Sequence, residues 1–286
     1  MEKVKVRVNK AKQSIKELLK NIYKVLRKPN MVILPGNIAF YICLAIIPVL
    51  SLLSLGASIL NLSTDVIYDF ISQSFSVEIA NLILGVNLQN IIGIDFFITI
   101  IFGLYIASNG ADAIILASNN IYNVDSKSFI QRRIKALGMM AILVILLLFM
   151  LIVPVFGNTI ITLVKEVNLN SIITNRIVVI FELLQGPVTW VIMFLIIKIL
   201  YSIAPDNKKD KRVVNYGAIF TTIMFVVGTK IYSIYVTNYA SYTALYGSLA
   251  NIVVLMIWIY FLSLIFTIGI ALNYEKDKLS KQKGIK

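Results

Sequence analysis

The chain has 286 residues, of which 58% are apolar and 14% charged, and its mean hydropathy is +0.85. Soluble domains average about 45 to 50% apolar and about 25% charged residues, so this composition excludes an ordinary soluble domain and indicates a membrane protein. The net charge is +13 and histidine is absent, which removes the commonest general base and transition-metal ligand. Zinc hydrolysis and Ser-His-Asp catalysis are therefore disfavoured.

The N-terminal segment, residues 1–30, is basic and amphipathic. Apolar residues recur at spacings of three and four between Val4 and Val25, and lysines occupy mainly the other faces. This pattern predicts an amphipathic helix that lies along the inner leaflet and contacts anionic lipid headgroups. A solvated basic helix packed on the cytoplasmic loops explains the same pattern, and both interpretations stay open.

Six stretches meet the requirement of about 20 mostly apolar residues for a membrane-spanning helix. They are residues 36–60, 94–118, 136–164, 177–203, 214–237 and 247–273. The sequence therefore predicts an all-α polytopic membrane protein, with six transmembrane helices in a domain over residues 31–274 and a basic cytoplasmic tail over 275–286. Pro48, Pro154 and Pro187 lie within spans, and the Gly186-Pro187 pair predicts a break in span 4.

The distribution of lysine and arginine predicts the orientation of these spans. Residues 1–30 hold ten, 119–135 four, 204–213 four and the segment after 273 five, whereas 61–93, 165–176 and 238–246 together hold two. The positive-inside rule then places both termini in the cytoplasm, an N-in/C-in topology. Nucleic acid is not the expected partner, because the basic segments are short, scattered and without interleaved aromatic residues.

Residues 61–93 contain no lysine or arginine, but hold Asp65, Asp69 and Glu78 among apolar residues. The segment is too interrupted to span a membrane, and it predicts a short external helical segment between spans 1 and 2. Asp65 and Asp69 lie one helical turn apart and could hold a cation, although an outward face that avoids positive charge is the simpler explanation.

Span 2 carries a polar stripe around Asp112. Counting back from Tyr122, Asp112 lies about 15 Å deep at about 1.5 Å per residue, near the midplane. The other members, at helical spacing, are Tyr105, Ser108, Asn109 and Asn119. Because ionisable groups are expensive at this depth, such a face is expected to meet other helices or a water-filled cavity.

Four further ionisable residues lie within spans. Asp95 lies at the outer start of span 2, close to the interface, where a structural role explains it, and the deeper ones are Glu182, Lys198 and Lys230. Their depths suggest two ion pairs, Asp112 with Lys198 and Glu182 with Lys230. These pairs either fix helix register, as buried ion pairs can, or line a cavity for a charged or amphipathic solute.

Tyrosines recur at spacings of three and four from the end of span 5 into the loop beyond it. They are Tyr232, Tyr235, Tyr239, Tyr242 and Tyr246. An interfacial aromatic belt explains them without a ligand. If the stripe faces inward, it forms an amphipathic wall suited to a lipid headgroup.

No enzyme motif is present: the sequence lacks GxxxxGK[ST], HExxH and GxSxG. No catalytic residue, metal ligand or cofactor is therefore predicted. The acidic residues of the cytoplasmic segments lie among basic ones and are interpreted as solvated ion-pair partners: Asp125, Asp206, Asp210, Glu275 and Asp277.

The chain resembles the YihY/BrkB family of bacterial membrane proteins from about residue 30 to 274. The features that carry the resemblance are Tyr201 and Pro205 before a basic loop, and the turn Tyr246-Gly247-Ser248-Leu249. Further matching residues are Ala39, Tyr41, Pro48, Gly110, Asn119, Tyr122, Trp258, Tyr260, Gly269 and Asn273. Where members usually carry Gly-Ala-Glu-Leu-Asn, this chain has Gly-Ile-Ala-Leu-Asn at 269–273, which removes any role assigned to that glutamate.

The resemblance implies a six-span bundle in the bacterial cytoplasmic membrane. Members have been labelled ribonuclease BN, which is widely regarded as a misassignment, or virulence factor, and some relatives are proposed to move lipids or lipid-linked precursors. We therefore expect a protein that moves an amphipathic or lipid-like substrate between leaflets. A non-transporting membrane scaffold or envelope-assembly factor is the second hypothesis, and a ribonuclease the third.

Overall fold

The structure is a computed structural model that describes residues 22–23, 27, 30–59, 68, 94–145, 171–207, 211–239 and 250–282. The long elements in these ranges are six α-helices. They are α1 (Asn30–Ile59), α2 (Ile94–Tyr122), α3 (residues 129–145), α4 (Ser171–Ile203), α5 (Lys211–Tyr239) and α6 (Ala250–Gln282). The predicted all-α class is confirmed.

Four of the helices contain a stretch that is long and apolar enough to cross a membrane. These stretches are Ile101–Tyr122, Gly186–Ile203, Val213–Tyr232 and Ile252–Gln282, and α1 adds a shorter apolar stretch, Met31–Ile46. The protein is thus a multi-pass membrane protein. The predicted amphipathic helix of residues 1–30 and the external segment of residues 61–93, including Asp65 and Asp69, lie almost wholly outside the described residues.

Two helices differ from the predicted spans. The predicted break in span 4 is wrong, because α4 runs without interruption through Gly186 and Pro187. Spanning helices tolerate proline because neighbouring groups satisfy the backbone that it leaves unpaired. Helix α6 continues to Gln282, so most of the segment predicted as a basic tail extends the last helix.

Small residues allow close packing of α2 on α1. Ala107, Ala111 and Ala117 of α2 are buried, and a side chain added at Gly110 would lie 3.5 Å from the Ile42 side chain. Membrane helices favour small residues at such contacts because packing, not hydrophobic burial, drives their association. Helix α1 also packs on α6, and α5 lies against both α4 and α6.

Helices α4, α5 and α6 are joined at Tyr201, which is fully buried. Its hydroxyl lies 2.6 Å from Oγ1 of Thr221 on α5 and donates to the carbonyl of Phe266 on α6 at 2.7 Å. Nearby, the amide of Gly217 donates to Oδ1 of Asn273 at 2.6 Å. This contact requires the backbones of α5 and α6 to approach closely.

Helix α2 ends in a Schellman motif. Asn123 adopts a positive φ of 50°, the amide of Val124 bonds the carbonyl of Asn119, and the amide of Asn123 bonds that of Asn120. Asparagine tolerates this backbone conformation better than most residues. The motif turns residues 124–128 back along α2, and this turn brings the start of α3 beside the polar stripe.

Candidate functional site

The polar stripe of α2 contacts two arginines at the start of α3. Arg132 donates from Nε to Oδ1 of Asp112 at 2.7 Å. Arg133 donates to Oγ of Ser108 at 2.8 Å and to Oδ1 of Asn109 at 2.9 Å. The expectation that this stripe meets another helix is therefore met by α3, and we name this surface the α2–α3 face.

Aromatic rings hold the arginines of the α2–α3 face in place. The Arg133 guanidinium lies 4.1 Å from the centroid of the Tyr105 ring and 5.6 Å from that of Phe129. Arg132 lies 5.9 Å from the Phe129 ring. Such cation–π contacts contribute about 0.5 to 2 kcal/mol and leave the edges of the guanidinium available for hydrogen bonding.

The arginines revise the expected depth of Asp112. Arginine stays protonated in proteins and is costly at the bilayer centre, so two of them are not expected at the midplane. Helix α2 has 29 residues and is longer than the apolar stretch Ile101–Tyr122 within it. Its part from Ile94 to Ala111 is about 27 Å long at about 1.5 Å per residue, so it can fill most of a hydrocarbon core of about 30 Å in place of that stretch. We therefore expect Asp112 near one edge of the core.

A second polar group, which we name the loop cluster, consists of Asn119, Lys135 and Asp206. Lys135 Nζ lies 2.7 Å from Oδ1 of Asp206, and it also donates to the carbonyl of Ala204 at 2.6 Å. Asn119 donates to Oδ2 of Asp206 at 2.7 Å and accepts from the Asp206 amide at 2.9 Å. The cluster joins the adjacent ends of α2 and α3 to the α4–α5 loop at one end of the bundle.

The surroundings of Asp206 favour its charged form. Burial acts to raise the pKa of this carboxyl, but hydrogen bonds from Lys135, the Lys127 amide and Asn119 outweigh burial and hold the pKa below its usual value. Burial lowers the pKa of Lys135, and the contact with Asp206 offsets only part of this. The two charges pair with each other, and each oxygen of the Asp206 carboxylate accepts a hydrogen bond. We therefore interpret this contact as a structural ion pair, which we call the structural tie.

The suggested pairing of Asp112 with Lys198 is not the contact observed. Asp112 pairs with Arg132, and Lys198 Nζ instead lies 5.9 Å from the centroid of the Phe194 ring. Lys230 is exposed, in register with the exposed residues Ile223 and Val227 of α5. A lysine there can extend its ammonium group toward the membrane surface, so Lys230 does not face the bundle interior.

The first two tyrosines of the stripe lie in different environments. Tyr232 packs on α6, where its ring stacks on Trp258 at 4.8 Å and its hydroxyl donates to the carbonyl of Val254. Tyr235 is 45% exposed. The remaining candidates lie outside the described side chains: Glu182, Tyr239, Tyr242 and Tyr246.

Sequence reasoning missed Arg132, Arg133 and Asp206 as members of these sites. The arginines were treated only as orientation charges, although a paired arginine is the better partner for a carboxylate. The interpretation of Asp206, Glu275 and Asp277 as solvated is wrong, since the Asp206 side chain is 3% exposed and the other two residues are buried. Asp125 is exposed as expected, and Asp210 lies outside the described residues.

Comparison with known proteins agrees with the fold. The family described as virulence factor BrkB matches residues 22–285. The putative ribonuclease-like protein YfkH of Bacillus subtilis is 30% identical over 251 residues, which cover 86% of this chain and 90% of YfkH. The UPF0761 membrane protein YihY of Salmonella newport is 29% identical over 116 residues, or 41% of this chain and 37% of YihY.

A UPF0761 membrane protein of Psychromonas ingrahamii is 32% identical over 84 residues, 29% of each chain. No solved structure matches the chain. Since the family match covers nearly the whole sequence, and the helices and polar stripe lie within it, this chain belongs to the virulence factor BrkB family of membrane proteins.

Proposed function

We propose that this protein moves an amphipathic or lipid-like substrate between the leaflets of the bacterial cytoplasmic membrane, along the α2–α3 face. The observation that carries the proposal is the junction of polar and apolar surface there. Tyr105, Asn109 and Asp112 form a polar path on α2, and the fully buried Ser108 lies beneath it, bonded to Arg133. Exposed apolar side chains flank it: Ile101, Phe102, Phe129, Ile130 and Ile134.

A polar path beside hydrocarbon lowers the main barrier to lipid movement. The headgroup is the costly part to transfer, because a polar group without hydrogen-bond partners costs several kcal/mol in an apolar medium. Side chains along about 10 Å of α2, from Tyr105 to Asp112, can replace water around a headgroup in the third of the hydrocarbon core nearest to Asp112. The acyl chains stay in lipid beside the exposed apolar residues.

Other predicted cavity residues have smaller parts in this proposal. Lys198 and Glu182 of α4, with Tyr239, Tyr242 and Tyr246, remain predicted contributors to the path. Lys230 and Tyr235 are exposed and belong at the membrane surface. The basic segments of the chain would hold anionic headgroups at the inner leaflet.

A non-transporting scaffold or assembly factor is the second candidate, and the loop cluster favours it. Lys135 of α3 and Asp206 of the α4–α5 loop pair there and hold the two segments together. If the Asp112–Arg132 pair acts in the same way, its loss should reduce stability and leave no separate transport defect. The two candidates therefore differ in whether activity and stability separate.

We propose no enzymatic activity. The name of YfkH includes ribonuclease-like, but this chain has no histidine, and its described residues contain no group of three His, Cys, Asp or Glu that could hold a metal ion. RNA cleavage by the purified protein that disappears in Asp206→Asn would contradict this proposal.

Lipid movement can be tested in proteoliposomes that contain a fluorescent phospholipid. Dithionite quenches the outer leaflet at once, and further quenching reports transfer from the inner leaflet. We expect wild-type protein to accelerate transfer. Asp112→Asn should slow transfer at least about tenfold, because it removes the charge-assisted hydrogen bond that positions Arg132 on the path, and such a bond contributes about 1.5 to 3 kcal/mol.

The matched control is Asp125→Asn, which removes an exposed carboxylate from the nearby loop and should leave the rate unchanged. Transfer no faster than in protein-free vesicles would contradict lipid movement. Equal loss of yield, thermal stability and rate in Asp112→Asn would favour the scaffold.

A further inference from the structure

We propose that Arg132 and Arg133 form a binding site for the phosphate group of an anionic membrane lipid. This headgroup site rests on the proposed function only for its location on the α2–α3 face, and it names an anionic phospholipid as the substrate class.

The charge on this face is unbalanced. Arginine side chains carry a positive charge in proteins, but among the described residues only Arg132 contacts a carboxylate, that of Asp112. Arg133 donates to the neutral oxygens of Ser108 and Asn109. In the part of the chain that the structure describes, one positive charge of this face thus has no carboxylate partner, and a phosphate oxyanion matches guanidinium geometry by accepting two parallel hydrogen bonds.

The arginines also have unused donors. A guanidinium carries five N–H donors, whereas the described hydrogen bonds of Arg132 use only Nε and those of Arg133 only one terminal nitrogen. The Nε of Arg133 is buried and has no acceptor among the described residues. Because a buried unpaired donor is costly, a ligand that supplies oxygen acceptors and lets this side chain adjust gains that energy.

The surroundings identify a lipid rather than a soluble phosphate compound. Phe129, Ile130 and Ile134, on the same helix as the arginines, are 58%, 70% and 66% exposed, and Ile101 and Phe102 of α2 are similarly exposed. Acyl chains attached to the phosphate would cover these side chains. The expected position at the edge of the hydrocarbon core is also where phospholipid phosphates lie.

The test is a titration of the full-length protein in mild detergent with phosphatidylglycerol or phosphatidylcholine, followed by native mass spectrometry. Both lipids carry the phosphate oxyanion, but phosphatidylcholine also carries a choline cation, which the uncompensated charge of Arg133 repels. We therefore expect wild-type protein to bind phosphatidylglycerol at least about tenfold more tightly. Arg133→Gln should remove this preference, and Arg133→Lys should retain part of it, because lysine keeps the charge but not the planar donor pair. Lys278→Gln, which removes an exposed positive charge from α6, should not change it.

Asp112→Asn should change the affinity for phosphatidylglycerol in the direction opposite to Arg133→Gln. Removing the carboxylate frees Arg132 and leaves two uncompensated positive charges, so phosphatidylglycerol should bind at least about threefold more tightly. A purely structural ion pair would predict lower stability with no change in lipid preference.

Three results would overturn the headgroup site: equal binding of both lipids, weaker phosphatidylglycerol binding in a folded Asp112→Asn variant, or displacement of the lipid by millimolar inorganic phosphate. The last result would identify a site for a soluble anion. A clear lipid preference without translocation in vesicles would contradict only the proposed function. Translocation without a headgroup preference would contradict only this binding site.

Discussion

Asp206 connects two loops through a single carboxylate. Asp206 is 87 residues from Asn119 in the chain, yet the Asn119 side chain donates a hydrogen bond to the Asp206 carboxylate and accepts one from the Asp206 amide. Lys135 completes the contact from the start of α3. The geometry of the loops at this end of the bundle therefore depends on one buried charge.

Asp206→Asn should strongly destabilise the protein near pH 7. It removes one partner of a buried ion pair and leaves Lys135 uncompensated, which typically costs about 3 to 5 kcal/mol. Thermal unfolding in detergent measures this loss. Asp125→Asn, in an exposed position of the same end, should unfold like the wild type, and a similar shift in both variants would contradict the structural tie.

The same residue predicts a pH dependence. The pKa of Asp206 lies below its usual value in the folded protein, so its stabilising contribution is complete above the ordinary carboxyl pKa of about 4 and is lost as the pH falls through the folded value. The difference in melting temperature between wild type and Asp206→Asn should thus be constant from pH 6 to 8 and shrink below about pH 4. A difference that grows on acidification would contradict this assignment.

Tyr201 plays a comparable role inside the bundle, by joining three helices through its hydroxyl. Tyr201→Phe should reduce stability by about 1 to 3 kcal/mol, because the Thr221 hydroxyl loses a buried partner. Tyr260→Phe is the control, since that ring is 42% exposed on α6. Equal melting temperatures for wild type and Tyr201→Phe would show that this hydroxyl contributes nothing.

At the scale of elements, α5 and α6 meet where neither helix has room for a side chain. A Cβ at Gly217 would lie 2.2 Å from the Gly269 carbonyl oxygen and 2.6 Å from Oδ1 of Asn273. A backbone oxygen cannot rotate away, so the two helices must separate to admit a methyl group.

Gly217→Ala should therefore destabilise the protein by about 1 to 3 kcal/mol, the usual range for overpacking, despite the better helix propensity of alanine. Gly138→Ala is the matched control in α3, because nothing lies within 4 Å of its added Cβ, and it should stabilise by up to about 1 kcal/mol. Thermal unfolding of both variants checks this contact, and a stabilising Gly217→Ala would contradict it.

At the scale of the whole molecule, two of the segments that the charge pattern assigns to the cytoplasm meet at one end of the bundle. The hydrogen bonds of Asn119 and Lys127 to Asp206 join residues 119–127 to residues 204–207. This contact agrees with two loops on one side of the membrane, while the side itself rests on the positive-inside rule.

Cysteine labelling tests the orientation, because Cys43 is the only native cysteine and can be replaced by serine. In intact cells, a membrane-impermeant maleimide should label Thr243→Cys but not Ser128→Cys or Lys278→Cys. All three should react after the membrane is opened. Labelling of the last two in intact cells would invert the topology.

The sequence by itself determined the class, the helices and the polar stripe of α2, because these depend on local properties. A stretch without enough apolar residues cannot cross hydrocarbon, and helical spacing decides which residues share a face. Asp112, Ser108 and Asn109 could therefore be identified as a set before any contact was known.

Only the tertiary structure decided which residues complete that set. Arg132 and Arg133 reach the stripe because the turn at Asn123 carries the loop back along α2, and Asp206 is buried because two distant loops meet. Lys230 lies on the exposed surface of the bundle because of the rotation of α5 about its axis. Loop path and helix rotation follow from the packing of the whole bundle, which no local pattern in the sequence specifies.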